Sequence, residues 1–248
     1  MKSKETKLGV IFDMDGVLVD SAEAHYQAWC ELGKEVGKPH PREFFKRTFG
    51  MHNREIIPLW LGDRVPAEEV ERLSVLKEAL YRQIAARTIV PMDGILGLID
   101  ALREDGFRLG VGTSGFRENV NLVLKVMGRP DCFDAIVTGE DIREGKPDPE
   151  VFLKAIEKLG LRPEQCAVVE DAPQGVAAAL AAGARAVAVT STRRPEELKD
   201  AHLVVGSLRE LSPRRLREVI AGEIAPEKVI AGKVIAGKAL TGSEGPRA

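Results

Sequence analysis

The chain has 248 residues, 44% of them hydrophobic, and a formal net charge of −2 at pH 7. That length allows one large domain or two smaller ones, and that apolar share is ordinary for a protein with a real core. The near-neutral balance, with Lys and Arg spread along the chain, argues against a nucleic-acid surface. Met1 to Lys7 is charged and precedes only a short apolar run, too short for a signal sequence or a membrane span. Cys30, Cys132 and Cys166 are scattered without metal-ligand spacing, so they are expected to be reduced core thiols of a cytoplasmic protein.

Val10-Ile11-Phe12 reads as a buried strand that ends in two carboxylates, Asp13 and Asp15, before a bend at Gly16. Two acids at the end of a core strand need a cation or a hydrogen-bond network to hold them. From Val17 to Gly37 the spacing of Ala24, Ala28, Trp29, Leu32 and Val36 predicts a helix, with Asp20 or Ser21 as its cap. Phe44, Phe45 and Phe49 follow, then Gly50-Met-His-Asn-Arg54-Glu. Pro66 and the acids after it open a further helix, reaching about Arg87. Residues 17–89 therefore read as helical, without a convincing strand.

From Pro91 the pattern alternates. Strands are expected at Phe107 to Thr113, Ala135 to Thr138, Ala167 to Asp171, Ala186 to Val189 and Leu203 to Val205. Helices are expected between them, at Gly94 to Glu104, Asn119 to Met127, Pro149 to Leu159 behind Asp148, Pro173 to Ala182, and Pro195 to Lys199. This predicts an α/β fold: a Rossmann-like parallel sheet with helices on both faces and an inserted all-helical unit. The core would comprise residues 1–16 and 92–220, the insertion 17–91. Val219-Ile-Ala-Gly222 recurs at Val229 and Val234 with glycine spacing that suits neither an amphipathic helix nor a long strand. Residues 221–248 are accordingly expected to form a C-terminal extension without catalytic role.

Ligands of open parallel sheets sit outside the carboxyl ends of the strands. Asp13 and Asp15, Thr113 and Ser114, and Glu170 and Asp171 all fall at such ends. Lys146 lies in a loop between prolines just before a helix. The chemistry these groups suit is phosphoryl transfer. Asp13, Glu170 and Asp171 offer oxygens to a hard cation, most simply Mg2+. One carboxylate can attack phosphorus and form an aspartyl-phosphate. Lys146, the Thr113 hydroxyl and the amides around Ser114 and Gly115 can stabilise the charge in flight. Asp15, beside the nucleophile, fits the general acid and base.

Phe12-Asp13-Met-Asp15-Gly-Val, Thr113-Ser114, Gly145-Lys146-Pro-Asp-Pro and Val169-Glu170-Asp171 resemble the four ordered motifs of the haloacid dehalogenase superfamily. The insertion resembles that superfamily's helical cap. The resemblance implies Asp13 as nucleophile, Asp15 as general acid/base, and Thr113 and Lys146 as phosphate binders. It implies magnesium held by the Asp13 side chain, the Asp15 carbonyl, Asp171 and Glu170. The second Asp favours phosphoryl transfer over dehalogenation.

A closer likeness is to the β-phosphoglucomutase and sugar-phosphatase branch. Asp20 to Trp29 is similar to its first cap helix, and Gly50 to Glu55 resembles a segment that grips a distal phosphate with an arginine. His25, Arg54 and Lys77 are then substrate contacts in the cap, with Gly16, Ser114 and Gly115 contacting substrate in the core. Thr113 to Arg117 departs from the mutases' Ser-x-Ser-Lys run, and the Gly50 to Arg54 spacing is one residue longer. The expectation is a magnesium-dependent phosphatase of a small phosphorylated metabolite, with a hexose-phosphate mutase as the alternative. No nucleic-acid or membrane partner is expected, and the chain is expected to be a monomer or weak dimer.

Overall fold

The computed structural model describes residues 7–223, 228–230 and 233–235. The chain opens with β1 (Gly9–Phe12) and a tight turn, then crosses into a helical segment through β2 (Val19–Asp20). That segment contains α1 (Ala22–Glu35), α2 (Arg42–Thr48), α3 (Asn53–Leu61) and α4 (Ala67–Thr88), and returns through β3 (Val90–Pro91). The absence of a strand expected before residue 90 is corrected here. Val19 pairs with Pro91 and Asp20 with Val90, antiparallel, so the outgoing and returning crossings are tied together. Two residues carry too little periodic signal to be read as a strand; their partners are seventy residues away.

Beyond β3 run α5 (Ile95–Glu104), β4 (Arg108–Gly112), α6 (Arg117–Met127), β5 (Ala135–Val137), α7 (Glu150–Leu159), β6 (Cys166–Glu170), α8 (Pro173–Ala181), β7 (Arg185–Val189), β8 (Leu203–Val205) and α9 (Pro213–Ala221). The helix expected near Pro195 is a short 3-10 turn, Pro195–Leu198. Six strands form one parallel sheet in the order β5-β4-β1-β6-β7-β8. The chain first builds outward from β1 on one side, then returns to build on the other. The strand order therefore reverses beside β1, where open sheets form their ligand crevice.

Alternate strand residues serve two cores. Val10, Phe12, Val111, Val169 and Val187 pack in one apolar cluster with residues of α5, α6 and α9. Ile11, Val168, Ala186 and Val204 pack on the other face with Phe152, Ala155 and Ala179. The helical segment has a separate cluster around Trp29, Leu32, Ile57, Trp60 and Leu73. No helix among the described residues is long and apolar enough to cross a membrane.

The first copy of the repeated tetrapeptide is helical, which corrects the expectation that it suits neither regular structure. Leu216, Val219 and Ile220 share one face of α9 and are buried in the core, and Gly222, at φ +74°, ends the helix. The later copies begin in β9 (Lys228–Ile230) and β10 (Lys233–Ile235), an antiparallel pair. The expectation for Thr241 to Ala248 lies outside the described residues, as does that for Met1 to Thr6.

Candidate active site

The turn after β1 brings both aspartates to one rim. The Asp13 amide donates to the Val169 carbonyl of β6 at 3.0 Å, so the residue continues the sheet register before the chain bends. Gly16 makes the bend with φ +79°, and a Cβ there would strike the Asp171 carboxylate. Glycine is required at this position by both the backbone and its neighbour.

Lys146 binds the acids together. Its Nζ lies 2.6 Å from Asp13 Oδ1 and 2.6 Å from Glu170 Oε1, all three side chains being buried. Glu170 Oε2 accepts the amides of Asp171 at 2.9 Å and Ala172 at 3.1 Å, so both of its oxygens are engaged. Gly175 in α8 leaves room for this carboxylate; a Cβ at 175 would overlap it. Asp171 Oδ2 accepts a short hydrogen bond from Thr192. Among the described residues no hydrogen bond reaches Asp13 Oδ2 or Asp171 Oδ1.

Three buried carboxylates gather at one lysine, which bonds two of them. Burial, with Glu170 and Asp15 nearby, pushes the Asp13 carboxyl up to about 7 against the pull of Lys146. Burial, Glu170 and Asp13 raise Asp171 well above its ordinary value. Burial opposes the charge on Lys146, but Asp13 and Glu170 hold its pKa above the ordinary value. This excess of negative charge fits a divalent cation. One carboxylate oxygen from each of Asp13, Glu170 and Asp171 lies within 4.8 Å of the others, near the span of two Mg–O bonds of about 2.1 Å. The donor set is all hard oxygen, as such an ion requires.

Thr113 follows β4 directly, with its amide on the Val137 carbonyl at 3.1 Å. Its Oγ1 accepts the Gly115 amide at 3.0 Å, which leaves its own hydrogen to donate into the cleft. Ser114 Oγ is buried without a partner among the described residues. Gly139 permits this loop, since a Cβ there would meet the Ser114 carbonyl.

Asp15 belongs to a second network. Its Oδ1 accepts from Ser21 Oγ at 2.6 Å and from His25 Nε2 at 3.0 Å. Ser21 begins α1 at φ −117° and ψ −6° without a side-chain capping bond, and its hydroxyl donates to Asp15. Behind His25, Lys77 Nζ stands 2.7 Å from Nδ1 and 2.8 Å from Glu78 Oε1. An ammonium only donates, so Nδ1 accepts and Nε2 carries the hydrogen; the imidazole is neutral. Tyr81 stacks on the ring at 3.7 Å between centroids. Burial acts to raise the Asp15 carboxyl, but His25, Ser21 and the Lys77 ammonium hold it below its usual value.

The cleft between sheet rim and helical segment is lined by Asp13, Asp15, Thr113, Ser114 and Gly115 on one side. His25, Lys77, Asn53, Glu78 and an apolar wall that includes Trp29 and Phe49 face them. Arg54 is not brought there. Its Nε donates to Glu71 at 3.0 Å and its side chain is 55% exposed. Sequence reasoning missed Asn53 and Glu78, each a chain neighbour of a residue it chose. Consecutive helical positions point about 100° apart, so Asn53 faces the cleft where Arg54 does not, while Lys77 and Glu78 both line it. It also missed Gln174 and Arg193. Both donate to the Phe49 carbonyl at the end of α2, at 2.9 and 3.3 Å, and fasten the helical segment to the sheet rim.

Fold and rim define the class: a doubly wound α/β enzyme scaffold with an acidic, lysine-braced site under a helical layer. The family model for haloacid dehalogenase-like hydrolases matches residues 8–183, and the chain belongs to that family. Validoxylamine A 7'-phosphate phosphatase of Streptomyces hygroscopicus subsp. limoneus is 31% identical over 204 residues, covering 81% of this chain and 94% of that protein. Beta-phosphoglucomutase of Bacillus subtilis is 31% identical over 217 residues, covering 84% and 93%. The crystal structure of beta-phosphoglucomutase from Clostridium difficile superposes with a TM-score of 0.79 at 28% identity, covering 88% of this chain and 99% of that one.

Proposed function

We propose that the protein is a magnesium-dependent phosphatase of a small phosphorylated metabolite, a sugar or polyol phosphate, acting through an aspartyl-phosphate on Asp13. The observation that carries this reading is the Asp13, Glu170, Asp171 and Lys146 cluster, with two carboxylate oxygens uncommitted to the protein and Thr113 and Ser114 alongside. The phosphatases and mutases among the relatives act on esters of this kind.

Asp13, Asp171, the Asp15 carbonyl and Glu170 would hold Mg2+, which supplies charge neutralisation for the phosphoryl group and for the acids. Lys146 and the Thr113 hydroxyl bind the phosphoryl oxygens. Asp13 attacks phosphorus as the ester oxygen departs with a proton from Asp15. Water then attacks the acyl phosphate and yields its proton to Asp15, which releases phosphate and restores both aspartates. The base form of Asp15 that this second step needs is the one His25 and Ser21 stabilise here.

The helical segment, residues 17–91, serves as a cap. The free volume of the cleft is about 50 Å³, well below the roughly 300–1,000 Å³ of sites that hold drug-sized ligands, so the cap opens to admit substrate. The three cysteines are all unpaired, which suits a cytoplasmic protein. The test is phosphate release from a panel of phosphorylated metabolites with Mg2+, and its loss in Asp13→Asn. Normal turnover by that variant would remove Asp13 as nucleophile.

A further inference from the structure

Across the cleft from Asp13, the cap end holds a buried carboxylate beside its lysine rather than a free cation. Glu78 is buried there with Oε1 accepting from Lys77 at 2.8 Å and from Asn53 Nδ2 at 2.7 Å, and Oε2 accepting a short bond from Asn119. Burial works against its charge, but the Lys77 ammonium and the bonds from Lys77 and Asn119 hold its carboxyl below the usual value, so it is ionised at neutral pH. Lys77 is matched by Glu78 and His25, and Arg54 faces solvent on Glu71. Lys77 is thus the one cation among the described residues that line the cleft, and it is matched. Asn53 Oδ1 accepts no hydrogen bond from them, which leaves a neutral acceptor at the same end.

A second phosphoryl group on a substrate carries nearly two negative charges at pH 7 and would meet a buried carboxylate. A hydroxyl in the same place finds acceptors in Asn53 and Glu78. We propose that Glu78, with Asn53, is the specificity determinant that admits hydroxylated monophosphate esters and rejects bisphosphates. The inference rests on the phosphatase reading and sharpens it. Moving a phosphoryl group between two hydroxyls of one sugar requires a bisphosphate to reside in this cleft; excluding it leaves the aspartyl-phosphate to water.

The experiment uses the full chain with Mg2+ and pairs each sugar monophosphate with the bisphosphate of the same sugar. Every compound is scored as substrate and as competitor of p-nitrophenyl phosphate. The best monophosphate is expected to exceed its bisphosphate by about tenfold or more in kcat/KM or inhibition. Glu78→Gln and Asn53→Lys should each shift that ratio about tenfold toward the bisphosphate. General damage to the fold lowers both members of a pair and leaves the ratio in place. The proposal is overturned if no monophosphate exceeds its partner, or if both variants turn over p-nitrophenyl phosphate with the wild-type ratio. Failure of the wild type to release phosphate from every compound tried refutes the phosphatase reading instead.

Discussion

His25 in α1 donates from Nε2 to Asp15 Oδ1 at 3.0 Å, joining the helical segment to the sheet rim. Lys77 fixes the tautomer from behind, so the two helices that supply His25 and Lys77 orient the proposed acid/base. Swinging those helices away would take the donor from Asp15. His25→Ala is expected to lower kcat by about 10²-fold with a smaller change in KM. Because His25 helps hold the Asp15 carboxyl low, its removal should move the acidic limb of the pH–rate profile to higher pH. Steady-state kinetics across pH measure both.

Asp13 yields a prediction about stability. Its carboxyl titrates at about 7 in the folded chain without metal, against an ordinary 3.8. Between those values the folded state holds a proton the unfolded state has released, so metal-free stability falls as pH rises through this window and stays low above it. A divalent cation favours the ionised form. Added Mg2+ should therefore raise Tm more at pH 8 than at pH 5. Asp13→Asn should be inactive yet at least as stable as wild type in EDTA at pH 8. Thermal scans with and without EDTA decide this.

Gly175→Ala tests the packing around Glu170. The added methyl overlaps the carboxylate, whose oxygens hold Lys146 and two amides. Displacing a buried, fully bonded acid is expected to cost about 2 kcal/mol or more and to lower activity sharply. Denaturant unfolding, read beside turnover, reports both.

Gln174 and Arg193 close the structure over its cleft by gripping the Phe49 carbonyl. The double change to alanine touches none of the acids. It should leave stability within about 1 kcal/mol while raising KM several-fold, since the closed form is less populated. Small-angle scattering should show a more extended average shape.

Much of the fold was legible because local chemistry repeats it. Phe12, Val111 and Val169 lie in runs that only a strand buried on both faces uses, and Asp13, Thr113 and Asp171 follow those runs directly. Pro66 with Glu68 and Glu69 marked α4, and Gly183 stood just past the end of α8. The paired strands β2 and β3 were not legible, because each is two residues long. Asp20 or Ser21 was expected as the cap of α1; Ser21 stands at that position but makes no side-chain capping bond, and its hydroxyl donates to Asp15. One tetrapeptide ends α9 at Val219 and begins in a strand at Val229, so local preference did not decide its form.

By itself, then, the order of residues determined the parallel sheet and which chemical groups stand at its carboxyl rim, since strand burial and helix punctuation are written in short-range pattern. Tertiary structure alone decided which residues of the helical segment face that rim. Arg54 and Asn53 are adjacent, as are Lys77 and Glu78, and the packing of α3 and α4 turned Asn53 and Glu78 inward while leaving Arg54 in water. A helix's rotation about its axis is set by the apolar face it buries against distant neighbours, and no window of sequence contains both partners.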